Sequence, residues 1–128
     1  MKIKVAEASG VVLDWMVARC NGKGIEFARV LDPWLTVDGE LDQPLHSYTP
    51  STDWAQGGPI IDREMREHGF DLWRTRDMSL HAASYTRGVP DCYSYGPTAL
   101  ISAMRCLVAS RLGEEVEVPA ELFLEKHQ

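Results

Sequence analysis

The sequence predicts an α+β fold: a small, mainly antiparallel sheet with two or three helices packed on one face. Three observations carry this expectation. Helical apolar spacing recurs in separated stretches ending at Cys20, His68 and Leu112. Short runs of strand-like alternation lie between and around them, and glycine-bearing turn signals punctuate the boundaries. At 128 residues, with 45% hydrophobic and 25% charged residues, the chain is the size of one globular domain, residues 1–128, and is not of disordered composition.

Met1–Val5 alternates apolar side chains with lysine and reads as a short strand with one wet face. Ser9-Gly10 opens a helix to Cys20, where Asn21-Gly22 supplies the stop. Leu13, Met16, Val17 and Cys20 form one apolar stripe, and Trp15 projects away from it on the side of Asp14 and Ala18. Ile25–Val30 and Trp34–Val37 read as strands separated by an Asp32-Pro33 turn, and Asp38-Gly39 is a hairpin signal. Leu41–Ser51 reads as loop. Gly57-Gly58-Pro59 reads as the start of a second helix, with proline at its first position, and His68-Gly69 as its end.

Phe70–Tyr85 reads as a hairpin or one long irregular strand, with Phe70, Leu72, Met78 and Leu80 on one face. Thr86–Tyr95 reads as loop. Gly96-Pro97 starts the third helix, which runs to Leu112 and stops at Gly113. Glu115–Val118 resembles a strand, and Pro119 begins a last helical turn through Phe123.

Nineteen acidic against thirteen basic residues give a net charge of −6, which disfavours duplex nucleic acid as a partner. The first residues lack the apolar run of a signal peptide or membrane span, so no membrane partner is expected and the thiols are expected to stay free in a reducing cytosol. Cys20, Cys92 and Cys106 form no C-x-x-C pair, the four histidines show no metal-ligand spacing, and neither a metal nor a cofactor is expected. No catalytic set stands out. A Cys92–His81 pair is the kind any such composition offers by chance, and Asp62, Glu64 and Glu67 read as a solvated face.

The two Gly-Pro helix starts are the places where backbone N–H groups and a positive helix end would meet an anion. Ser51, Thr52, Asp53, Trp54 and Gln56 precede Gly57-Gly58, and Tyr93, Ser94 and Tyr95 precede Gly96. On the third helix Thr98, Ser102 and Arg105 form a polar stripe, either a solvated face or a pocket wall where Arg105 offers its donor fork to an anion.

Leu13-Asp14-Trp15 followed by Cys20-Asn21-Gly22, the block Tyr48-Thr49-Pro50-Ser51-Thr52-Asp53-Trp54-Ala55-Gln56-Gly57-Gly58-Pro59-Ile60-Ile61, and the run Thr98–Cys106 with Val108-Ala109-Ser110 resemble the NinX-like family of small phage proteins. Val116–Pro119 agrees too, and Phe70–Tyr95 matches least well. The resemblance implies an accessory protein of tailed phages and prophages, acting in the host bacterial cytoplasm, and implies no particular activity.

Taken together, the expected function is binding of a small anionic, nucleotide-like molecule by Ser51, Thr52, Asp53, Trp54, Gln56, Gly57, Gly58, Tyr95, Gly96, Thr98 and Arg105. Trp54 would stack on a base, the Gly57-Gly58 backbone with Ser51 and Thr52 would hold phosphate, and Thr98 and Arg105 would complete the site. By analogy with other small phage proteins, such binding would sequester a host immune signalling nucleotide. Two alternatives stand beside it. One is a protein-interaction module directed at a host protein, anchored by Trp15, Trp34 or Trp73. The other is a small nucleotide hydrolase using His81, Cys92 or Asp53. A homo-oligomer is compatible with a domain whose pocket alone would be shallow.

Overall fold

The computed structural model of the chain describes residues 1–27, 33–85 and 93–124. The elements are β1 (Lys2–Lys4), a 3-10 turn (Val5–Glu7), α1 (Gly10–Cys20), β2 (Gly24–Glu26), β3 (Trp34–Val37), β4 (Glu40–Pro44), a second 3-10 turn (Leu45–Ser47), α2 (Trp54–His68), β5 (Phe70–Arg74), β6 (His81–Tyr85), β7 (Tyr93–Gly96), α3 (Ala99–Leu112), β8 (Glu115–Glu117) and α4 (Glu121–Leu124). The fold is α+β, as expected, and the strand pairings are antiparallel. The strands are divided among three small sheets, β1–β8, β2–β3–β4 and β5–β6–β7, rather than joined in one. The end of the strand expected over Ile25–Val30, Asp32 of the expected turn, Thr86–Cys92 of the expected loop, and His127 lie outside the described residues. Among the described residues no helix is long and apolar enough to cross a membrane.

α3 is the centre of the molecule. It packs against α1, α2 and the β5–β6–β7 sheet at once. Leu100, Ser102, Ala103, Met104, Cys106, Leu107 and Val108 are all buried, so the side expected to be a polar stripe is not solvated at Ser102. The small side chains there admit close neighbours, and the Ser102 hydroxyl is satisfied by donating to the Ala99 carbonyl (3.0 Å). A Cβ added at Gly96 would lie 2.9 Å from the Ser102 amide nitrogen, which explains why the end of β7 is glycine against this helix.

α1 is likewise buried from Val12 through Ala18, not along one stripe. Trp15 is therefore in the core, with the Arg19 guanidinium 5.8 Å from its ring centre, and is withdrawn as a surface anchor. Trp34 is half-buried in β3, and Trp73 is exposed in β5.

Two segments read as loop contain strands, β4 and β7. β4 is obscured by its polar composition, but it pairs with β3 across the Asp38-Gly39 turn, whose residues both have positive φ (54° and 83°) as a tight hairpin turn requires. β5 and β6 form a hairpin, the first of the two arrangements expected over Phe70–Tyr85. Its turn is held by the Asp77 carboxylate, which accepts from the Ser79 amide and from the hydroxyls of Ser79 and Thr75, bonds that pull its pKa down to about 2. Met78 and Leu80 belong to this exposed turn and do not share the face of Phe70 and Leu72.

α2 begins at Trp54, not at Pro59. Asp53 is its N-cap, its carboxylate accepting from the Ala55 amide (3.0 Å), and Gln56 three residues on completes a cap signature that the Gly-Gly-Pro run masks. Pro59 is inside the helix. The Ala55 carbonyl that loses a partner there is on an exposed turn, where water can replace it. Gly69, at φ 68°, ends the helix in the left-handed conformation.

Glu64 corrects the reading of α2 as carrying a solvated acidic face, because it is only 1% exposed. Its carboxylate accepts from the Tyr85 hydroxyl of β6 (2.6 Å), from Arg111 of α3 (2.7 Å) and from Arg63 (3.2 Å). Arg63 also donates to Asn21 at the end of α1, and Asn21 donates to the Tyr48 hydroxyl. Burial alone would raise the Glu64 carboxyl, but the Tyr85 hydroxyl and the two guanidiniums outweigh it and hold the group below its ordinary value of 4.5. The same burial, with Glu64 beside it, pushes the Tyr85 phenol up.

Because the folded state holds Glu64 below 4.5, its stabilisation is complete above that pH and is lost as pH falls through the lower folded value. Glu64→Gln should lower unfolding free energy by about 3–5 kcal/mol at pH 7, since guanidiniums are left facing a neutral group. The variant should also show a shallower acid limb in urea titrations from pH 3 to 7. A variant as stable as the wild type at pH 7 would contradict this role.

Candidate functional site

The segment from Ser47 to Gly57 carries most of the residues singled out from sequence, and the Gln56 side chain organises it. Its Oε1 accepts from the Thr49 amide (2.9 Å), while its Nε2 donates to the Ser47 carbonyl (3.1 Å), the Thr49 hydroxyl (3.0 Å) and Asp53 (3.2 Å). The amides of Thr52 and Asp53 return to the Thr49 carbonyl. With so many bonds closed within one turn, the segment is a fixed platform, and Gln56 acts as its brace.

Below the platform lies Asp14 of α1, 3% exposed, a residue that sequence reasoning did not place in the site. Its Oδ1 accepts from the Ser51 amide (2.9 Å). The Ser51 hydroxyl, itself buried, makes no well-formed hydrogen bond. Burial drives the Asp14 carboxyl up from 3.8 to about 6, against the opposing pull of the Ser51 hydroxyl and amide. The available signal was one acidic residue inside the otherwise apolar run Val11–Ala18.

Gly57 is where α2, the platform and α3 meet. A Cβ added there would lie 2.6 Å from Leu100 Cδ2 and closer still to the Pro50 carbonyl oxygen, so only glycine admits this approach. The starts of α2 and α3 are thus neighbours. Their N–H groups are not those expected to hold an anion, however. The Gly57 amide donates to the Asp53 carbonyl (2.8 Å), and both Gly57 and Gly58 are inside the helix. At α3, Thr98 is the N-cap, its hydroxyl oxygen accepting from the Ile101 amide (3.1 Å).

Trp54 stands at the rim of the platform, 57% exposed, with Gly58 beneath its ring edge. Thr52 and Thr98 are exposed beside the two helix starts, whereas Ser51 and Gly96 are buried. Arg105 does not turn toward Trp54. Its Nε donates to the Ala8 carbonyl (2.8 Å) and its Nη1 to the Tyr95 carbonyl (2.8 Å), tying α3 to the first 3-10 turn and to β7. Burial lowers its pKa. The Tyr95 ring itself is exposed on the sheet.

A separate hollow of about 420 Å³ lies where β1, the start of α1 and α4 meet, lined by Lys2, Lys4, Glu7, Ser9, Val12 and Phe123 among others. None of the site residues expected from sequence lines it. Cys20 is half-buried, and burial pushes its thiol up to about 11 despite Arg111 and Arg19 nearby, the opposite of an activated nucleophile. Cys92, the candidate nucleophile, lies outside the described residues.

The Asp14 carboxyl has a folded-state value above its ordinary one, so the folded protein binds the extra proton between pH 3.8 and about 6. Its burial therefore opposes folding above pH 6 and ceases to do so as pH falls toward 4. Asp14→Asn, which can still accept from Ser51, should be more stable than wild type at pH 7 by at most about 3 kcal/mol and should lose this part of the pH slope. Thermal unfolding followed from pH 4 to 8 tests it, and a less stable variant would show that the charge itself is needed. Gly57→Ala should cost about 2 kcal/mol or more, because backbone and not a flexible side-chain tip must move.

The family model described as bacteriophage P22 NinX matches residues 4–111, from the end of β1 to the last turn of α3. The match takes in Asp14, the platform, Trp54, Glu64 and Arg105, and leaves β8 and α4 outside. No curated protein matches the chain. Because the match covers most of its length, the chain belongs to the bacteriophage P22 NinX family.

Proposed function

We propose that this phage accessory protein acts by binding, and that its ligand is a small anionic molecule with a planar ring, a nucleotide in type. The observation that carries the reading is the exposed Trp54 ring, at the edge of a braced platform beside the adjoining first turns of α2 and α3. An exposed indole on a rigid support is a stacking surface that loses little freedom when a base settles on it.

The charge arrangement supports an anion there. Neither α2 nor α3 carries an acidic residue in its first turn, so two positive helix ends adjoin, with Asp53 as the cap of one. The donors in this reading are the exposed hydroxyls of Thr52 and Thr98, each two residues from the contact of Gly57 with Pro50 and Leu100. The Thr98 oxygen accepts from its own helix, which leaves its O–H free to donate outward. Gly57 sets the closeness of the two helices in place of supplying an amide. Arg105 positions β7 and the first 3-10 turn in place of gripping phosphate. In a phage, such binding would withdraw a host signalling nucleotide from its receptor.

Calorimetry of the full chain against mono-, di- and cyclic nucleotides tests this. At least one should bind, and Trp54→Ala should weaken it by about tenfold or more, the range expected for a lost base–indole stack. The absence of any response from the wild type, or equal affinity in Trp54→Ala, would overturn the reading.

A further inference from the structure

The β5–β6–β7 sheet turns one face to α3 and leaves the other uncovered by the described residues. Its register puts Trp73, Ala82 and Tyr95 in one row of the outer face and Asp71, Ser84 and Tyr93 in the next. The three aromatic side chains are exposed, at 40% for Trp73, 51% for Tyr95 and 58% for Tyr93. Ala82 and Ser84 between them are buried under the rings. Trp73 and Tyr93 meet across β6 nearly at right angles, 84°, with ring centres 6.3 Å apart. The rings lie over these two small residues, and the edge-to-face meeting of Trp73 and Tyr93 gives the surface a corner of two ring walls, with Tyr95 in the row of Trp73.

The charge of this face decides its occupant. The paired rows contribute a single charged residue, the exposed carboxylate Asp71, and no cation. Aromatic faces present negative potential, Asp71 adds a full charge, and the chain as a whole stands at −6. A phosphate backbone is repelled by such a surface, whereas a guanidinium or ammonium group is attracted to the rings and neutralised by Asp71.

We infer that the outer face of β5–β6–β7 is a docking surface for a basic polypeptide segment of another protein, which lays an arginine or lysine side chain in the corner of Trp73 and Tyr93 beside Asp71. The aliphatic stem of that side chain covers the ring faces while its head reaches the carboxylate. Tyr95 extends the platform for the neighbouring residue of the peptide. This surface is distinct from the rim at Trp54, and its occupant has the opposite charge.

Nuclear magnetic resonance titration of the isotopically labelled full chain with a nonapeptide of alternating arginine and glycine tests the inference. Saturable shifts are expected at the Trp73 indole and at Ala82, Ser84, Tyr93 and Tyr95. Asp71→Lys should weaken binding by about tenfold, whereas Glu40→Lys, an equal change of net charge on exposed β4, should alter it less than twofold. A glutamate–glycine peptide and oligothymidine should leave the face unshifted. No binding, shifts confined to other surfaces, equal weakening by both lysine variants, or oligothymidine occupying the face would each overturn it.

Discussion

The Glu64 carboxylate is almost dry, and a phenol and two guanidiniums from different parts of the chain converge on it. Through Tyr85 it fixes the β5–β6–β7 sheet, through Arg111 the last turn of α3, and through Arg63 and Asn21 the end of α1. Such a cluster contributes little net stability compared with apolar packing, but it tolerates only one relative placement of its members. Helices and hairpins this short could slide against one another on apolar contacts alone. The ion cluster sets their register, and the contact of Gly57 with Pro50 and Leu100 then sets how closely α2 approaches α3.

That placement has a consequence at the platform. Asp14 and Glu64 are both buried carboxylates, yet they differ in sign. Glu64 has enough donors to stay charged, whereas Asp14 has one well-formed bond, from the Ser51 amide, and burial wins. The platform therefore rests, at Ser51, on a group that opposes folding at neutral pH. Gln56 compensates by closing the turn with four hydrogen bonds, so the rim is rigid even though its foundation is unfavourable.

Two surfaces of opposite preference result. The rim at Trp54 adjoins two positive helix ends, and the outer face of β5–β6–β7 is aromatic and carries a carboxylate. Both offer rigid rings at little entropic cost, but the electrostatics around each ring separate an anionic ligand from a cationic one. Arg105, which sequence alone assigns to the first surface, instead holds the backbone of β7 so that Tyr95 stands on the second.

The sequence by itself determined whatever local chemistry enforces: the α+β class, the hairpin turn at Asp38-Gly39, and the ends of α2 and α3 at Gly69 and Gly113. Those features depend on φ preferences and on contacts a few residues apart, which a linear pattern records. The start of α2 was legible in Asp53 and Gln56 but was hidden by a Gly-Gly-Pro run that imitates a helix start. Burial of Asp14, Ser102 and Glu64 was decided only by the tertiary structure. Periodicity reports a helix with a wet side, and α3 packed between α1, α2 and a sheet has little of one, so Ser102 reads as solvent-facing when it is core. That Arg105 meets the Ala8 carbonyl, 97 residues away, and that Glu64 meets the Arg111 guanidinium, 47 residues away, depends on partners remote in sequence. Chain packing alone brings such partners together.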